Sequence, residues 1–194
     1  MIIGGVIAAL VAASLLFVGI TYNRLVGLRN NADNSWAQID VQLRQRHDLV
    51  PALVEAVGGY AAHERGTLER VSAARGSAVA QQSADPATRS AAEGTLAGQV
   101  RGLMILAEQY PDLKASDNFA ALQRSLTEIE EKIAITRRVY NDTVETLNTA
   151  VQVFPPNLVA SAFGFKAKRF FDAPAGSDLA PAVSLPSPGA RSGN

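Results

Sequence analysis

YNRLVGLRNNADNSWAQIDVQLRQRHDLVPAL, residues 22–53, carries the pattern that decides the fold. Leu25, Leu28, Ala32, Trp36, Ile39, Leu43, Arg46 and Val50 follow one another in steps of three and four, so they line one side of an α-helix. Asp40, Gln42, Arg44, Gln45, His47 and Asp48 fall on its other faces. The apolar phase continues past Pro51 through Leu53, Val54, Val57, Tyr60 and Ala61 to Leu68 and Val71. Pro51 removes a backbone donor and disfavours helix at Val50, and Asp48 stands where an N-cap would stand. The unbroken phase favours one kinked helix. The lengths of the other helices favour a break, with helices at about 22–47 and 49–82.

Upstream, residues 1–20 contain no charged side chain. About 20 apolar residues suffice to cross a bilayer core as a helix. A cleaved signal peptide would carry a basic start and a shorter apolar core. There is no Lys or Arg before Arg24, so residues 1–21 are expected to be an uncleaved, single-pass transmembrane anchor. Arg24 and Arg29 lie just beyond it with nothing basic before it, and the positive-inside rule then puts the rest of the chain in the cytoplasm.

Downstream, QQSADP at 81–86 is a turn, with Asp85 as N-cap and Pro86 at the first helical position of a helix at about 86–110. Gly94, Gly98 and Gly102 recur every four residues there. Glu93, Gln99 and Arg101 exclude a membrane span, so this smooth strip is expected to let another helix approach closely. A longer helix, about 118–154, has an apolar seam through Phe119, Leu122, Leu126, Ile129, Ile133 and Thr136. After a one-residue slip the seam resumes at Tyr140, Val144, Leu147, Val151 and Phe154, and Pro155-Pro156 stops it. Such a seam reads as a coiled coil or as the spine of a bundle. Residues 157–171 form a short amphipathic segment, in which Phe163, Lys166, Lys168, Arg169 and Phe170 are candidates for a membrane interface. Residues 172–194, rich in Ala, Pro, Ser and Gly, read as a disordered tail.

The 18 basic and 18 acidic residues balance, so no global field argues for nucleic acid. The absence of cysteine removes disulfides, thiol catalysis and zinc–thiolate sites. His63-Glu64 opens a sequence like a zinc-protease H-E-x-x-H, but Thr67 replaces the second histidine and the ligand pair is missing. The glycine series lies inside a helix and not between strand and helix, so it is no phosphate loop. Catalytic, cofactor-binding and metal-ligating residues are therefore not expected, and neither is a cofactor. Asp40, Arg46, His47, Asp48, His63, Glu64, Tyr140 and Asn141 remain as candidates for an interaction site or a buried polar network.

Three blocks of the chain resemble the LemA family, membrane-anchored helical proteins of bacteria. The first spans 22–64, with YNRLVGLRN, SWAQIDVQLRQRHDLVPALVEAV and GYAAHE. The second is EQYPDLKASDNF at 108–119, and the third, within 122–165, contains LQRSLTEIEEKIAITRRVYNDTV and FPPNLVASAFGF. This chain has Arg44-Gln45-Arg46 where the family more often shows a wholly basic run. The resemblance implies an all-α protein: a single N-terminal transmembrane helix, residues 1–21, then a long-helix antiparallel four-helix bundle at 22–171. It implies no established enzymatic activity.

The expected role is a non-catalytic, membrane-anchored scaffold or interaction protein of the bacterial envelope, located in the inner membrane with its bundle cytoplasmic. Its expected partners are membrane lipid through the N-terminal helix, further copies of itself and other envelope proteins, with nucleic acid excluded. The alternative is a ligand-binding or enzymatic bundle with a polar pocket around His47 and His63.

Overall fold

The computed structural model describes residues 2–61 and 63–171. The tail expected at 172–194 lies outside the described residues. Among the described residues six helices follow in order: α1 (Ile2–Gly58), α2 (Arg65–Ala80), α3 (Pro86–Ala107), α4 (Pro111–Lys114), α5 (Asp117–Gln152) and α6 (Pro156–Ala162). These residues contain no strand, and the protein is all-α.

Helix α1 runs without interruption through the apolar segment, through Pro51 and on to Gly58. No break occurs at Asp48, which is an exposed residue inside the helix, so the expected division into helices at 22–47 and 49–82 is corrected. The seam explains the continuity: Val50, Leu53 and Val57, on both sides of Pro51, are fully buried in one apolar cluster. Burying a side chain of this kind contributes roughly 1.5–3 kcal/mol, and three of them outweigh the proline's cost of ~3 kcal/mol. The helix ends instead at Gly58-Gly59, where consecutive glycines weaken it and Ala61 N–H turns back onto Val57 O at 2.8 Å.

As residue numbers rise along α1 they fall along α5, so the two helices are antiparallel. Leu25 shares a cluster with Ala150, Trp36 meets Tyr140, and Arg46 meets Glu130. Helices α2 and α3 form a hairpin that starts beyond Gly58, at what we call the far end. The hairpin reaches back along α1, where Arg75 bonds to the carbonyl of His47 and Arg89 to Asp40. The body is therefore a stem of α1 and α5, thickened to four helices only toward the far end. Helices α3 and α5 stand apart there across a groove of about 460 Å³ that Val100, Met104, Leu126 and Glu130 help to line. Three apolar clusters follow one another along the stem, the near one joining Leu25 to Ala150, Val159, Ala160 and Phe165.

Asp85 caps α3 as its sequence suggests, accepting from the backbone N–H groups of Ala87 and Thr88 with Pro86 at the first helical position. The carboxyl of Asp85 is held below its ordinary range, mainly by the Thr88 hydroxyl. The glycine strip behaves differently from expectation. A Cβ added at Gly94, Gly98 or Gly102 would meet nothing within 4 Å, so the strip faces open space and not a neighbouring helix. The seam of α5 is buried through Leu147 and Ala150, but Phe154 at its end is 77% exposed, because α5 stops at Gln152. The segment expected as one amphipathic stretch at 157–171 divides in two. It begins as helix α6, ends that helix with Gly164 at φ 72°, and continues to Phe171 without helix. At Gly164 the absence of Cβ matters: the left-handed turn lets Phe165 N–H bond to Ala160 O at 2.9 Å and buries the Phe165 ring.

Candidate functional site

The charged residues that the fold buries lie where the two-helix stem meets the four-helix far end. Arg46, His47, Arg89 and Glu93 are each no more than 2% exposed. Arg89 and Glu93 begin the core stripe of α3, which continues as Leu96, Val100, Leu103 and Ala107 at three- and four-residue steps, so their inward direction follows from helical phase. Arg46 likewise occupies a core step of α1 between Leu43 and Val50.

Arg46 spans three helices. Its Nη2 donates to Glu93 Oε2 at 2.5 Å and its Nη1 to Glu130 Oε1 at 2.9 Å. His47 Nε2 lies 2.9 Å from Glu93 Oε1, so one carboxylate on α3 takes both neighbours on α1. Burial pushes the Glu93 carboxyl up. The hydrogen bonds from His47 and Arg46, with the charge they bring, outweigh it and hold the group below its ordinary 4.5. The ionised carboxylate therefore accepts, and His47 donates from Nε2. About two turns earlier on α1, Asp40 accepts from Arg89 at 2.5 Å and pairs with Arg44. The Arg89 guanidinium sits 5.3 Å over the Trp36 ring, which in turn packs against Tyr140 and Phe171. Opposite charges meet one another throughout, and the guanidinium, imidazole and carboxylate groups key the register of α1, α3 and α5.

A second arrangement holds residues 168–171 against α5. Asn148 and Asn141, seven residues apart on one helical face, each offer an amide to the passing backbone. Asn148 accepts from Lys168 N–H and donates to Lys168 O, both at 2.8 Å. Asn141 accepts from Phe171 N–H at 2.9 Å and donates to Phe171 O at 3.1 Å. Tyr140 Oη donates to Arg169 O at 2.8 Å between them. Burial, with the Asp33 charge nearby, pushes the Tyr140 hydroxyl up to about 12. This clasp lays Phe171 into the stem's core beside Trp36.

Of the residues singled out from sequence, Asp40, Arg46 and His47 come together in the ion network, and Tyr140 and Asn141 serve the clasp. Asp48 is exposed and takes part in neither. His63 and Glu64 are exposed on the connection between α1 and α2, beyond the far end of α1. About 16 Å of helix separates His47 from Gly58, so the fold does not bring His47 and His63 into one pocket. Sequence reasoning missed Arg89, Glu93, Glu130 and Asn148. The signals for them were charged residues in phase with an apolar stripe, and a second asparagine two turns from Asn141.

Among the residues expected at a membrane interface, Lys168 pairs with Asp33 of α1 and Arg169 with Asp85 at the tip of the hairpin, 3.1 Å away. Phe163 is exposed and lies beside Tyr22, ring centres 4.9 Å apart, while Lys166 and Phe170 are exposed without such ties to α1. The apolar start of α1 is exposed along residues 2–17, and one stretch of this helix, mean hydropathy 2.5, is long and apolar enough to cross a membrane.

An all-α body on a long apolar N-terminal helix defines a class of membrane-associated helical protein. The sequence profile of the LemA family matches residues 35–185, most of the chain, and the chain belongs to that family. It is 26% identical to magnetosome protein MamQ 2 of Paramagnetospirillum magneticum, over 80% of this chain and 66% of that protein. It is 27% identical to magnetosome protein MamQ of Magnetospirillum gryphiswaldense, with the same shares covered. Protein LemA of Metamycoplasma hominis is 27% identical over 75% of this chain and 69% of its own length. The alignments thus reach just under two thirds of the length of the MamQ relatives.

Proposed function

We propose that this protein is a non-catalytic, membrane-anchored scaffold of the bacterial envelope, associating with further copies of itself and holding other proteins at a set distance from the inner membrane. The observation that carries this reading is the continuity of α1. The apolar segment and the central helix of the body are one helix of 57 residues. The part from Thr21 to the far end is on the order of 55 Å long. A body joined to its anchor in this way has no hinge to turn on, and its far end stands at a fixed height. That suits a spacer better than an enzyme that must reach a diffusing substrate. The ion network supports the same reading, because its charges are spent on one another across α1, α3 and α5.

Self-association draws on two features. Gly4, Gly5, Ala8, Ala9, Ala12 and Ala13 give the anchor a small-residue surface suited to close helix packing. Anchoring also raises effective concentration, so weak lateral contacts count. The cytoplasmic placement of the body rests on Arg24 and Arg29 and the positive-inside rule. The magnetosome role stated in the MamQ names belongs to those proteins.

The test is crosslinking in native membranes, sizing in mild detergent and identification of co-purifying proteins. Retention through carbonate washing together with oligomers or stable partners is expected. A protein released by carbonate, or one strictly monomeric and without partners, would end the reading.

A further inference from the structure

The corner between α5 and α6 exposes a group of large apolar side chains: Phe154 is 77% exposed, Leu158 61% and Phe163 55%. They lie in FPPNLVASAFGF, where Pro155-Pro156 turns the chain out of α5 into the short helix α6. The inner face of α6 is satisfied, since Val159 and Ala160 are buried against Leu25 of α1. Its outer face, with Leu158, has no covering element among the described residues.

The position of this corner selects its partner. Phe17 and Ile20, near the end of the apolar run before Tyr22, line one groove of about 500 Å³ with Val153 and Pro156. Phe163 packs on Tyr22, and Phe165 lies 5.7 Å from the same ring. The corner is therefore level with the last turns of the apolar run, within about one helical pitch of ~5 Å. If Phe17 and Ile20 face lipid, exposed side chains at that height meet the same surroundings. Aromatic and aliphatic residues on a short surface helix suit the boundary between head groups and acyl chains. Of the basic residues expected to fill this role, Lys168 and Arg169 pair with Asp33 and Asp85 farther along the stem, and Lys166 is exposed.

We propose that Phe154, Leu158 and Phe163 insert into the lipid boundary beside the α1 span, making the α5–α6 corner a second membrane contact of this protein. The proposal rests on the reading of the α1 apolar segment as a membrane span. A span alone leaves the body free to rotate about its axis, whereas a contact on one side fixes which face of the stem points toward the bilayer.

The chain contains no cysteine, so single substitutions carry single labels. The full chain is reconstituted in vesicles of phosphatidylethanolamine and phosphatidylglycerol, with a nitroxide at Phe154→Cys, Leu158→Cys, Phe17→Cys or Ile135→Cys. All four positions are exposed, and Ile135 lies midway along α5. Collision with oxygen and with a water-soluble nickel chelate then reports depth. The proposal expects the two corner labels to be oxygen-accessible and shielded from nickel, as at Phe17, with Ile135 aqueous. Aqueous corner labels beside a lipid-exposed Phe17 label would overturn the proposal and leave the anchor standing. An aqueous label at Phe17 would overturn both. Corner labels shielded from both reagents and broadened by neighbouring spins would assign the corner to contact between copies, which also overturns it.

Discussion

Replacing Glu93 by alanine tests whether the buried ion network keys three helices together. The carboxylate accepts from Arg46 at 2.5 Å and from His47 at 2.9 Å, and all three side chains are at most 3% exposed. Removing one partner of a buried pair typically costs about 3–5 kcal/mol, because the remaining charge stays desolvated. Arg46 retains Glu130, whose side chain is 39% exposed, so the loss falls at the low end, about 3 kcal/mol. In a protein of this size each kcal/mol moves the Tm by roughly 2–4 °C, which gives a fall of about 6–12 °C. Glu93→Gln keeps the shape and two hydrogen-bonding atoms and should lose about half as much. The combined Arg46→Met/His47→Leu/Glu93→Leu variant, with no stranded charge, should be more stable than Glu93→Ala alone. The assay is thermal unfolding of the full chain in detergent, followed by far-ultraviolet circular dichroism. A Glu93→Ala melting point within about 2 °C of the parent, on that scale, would refute the reasoning.

Acid should weaken the same site. Because the Glu93 carboxyl is held below its ordinary 4.5, its contribution is complete above that pH and is lost as pH falls through its lower folded value. Glu93→Gln should therefore show a flatter loss of denaturation free energy below about pH 4.5 than the parent, and equal slopes would remove Glu93 from the acid response. Two glycines should respond oppositely to alanine. Gly98→Ala adds a Cβ into open space on an α-helix and should stabilise by up to ~1 kcal/mol, while Gly164→Ala at φ 72° should cost about 1–2 kcal/mol. Denaturant titration of both variants checks this, and a shift of the same sign in both would show that their surroundings differ from those described.

The stripes of α1 and α5 were legible because apolar residues at three- and four-residue steps fall on one face only when the backbone is α-helical. Asp85-Pro86 was legible for a local reason, a cap being decided within four residues. Pro51 was ambiguous in sequence because two local rules opposed the stripe, and tertiary burial of Val50, Leu53 and Val57 decided between them. The glycine strip misled because four-residue spacing places residues on one face without saying what that face meets. The candidate site was half legible. Arg46 stood visibly in a core step, but its partners Glu93 and Glu130 lie 47 and 84 residues away, and charge pairing at that range is set by topology. The clasp was missed for a related reason: an asparagine that bonds to backbone leaves no complementary side chain to find. Composition alone assigns Lys168 and Arg169 to lipid, and the fold pairs them with carboxylates that sequence distance conceals.

The central claim is that span and body are one rigid helix. It is tested by the spin–spin distance between nitroxides at Leu16→Cys and Val41→Cys, both exposed on α1, in the full chain in lipid vesicles diluted with unlabelled protein. An unbroken helix predicts one narrow distribution centred near ~38 Å, from 1.5 Å of rise per residue. A broad distribution, or a main population many ångströms shorter, would place a hinge between the apolar segment and the body and contradict the account.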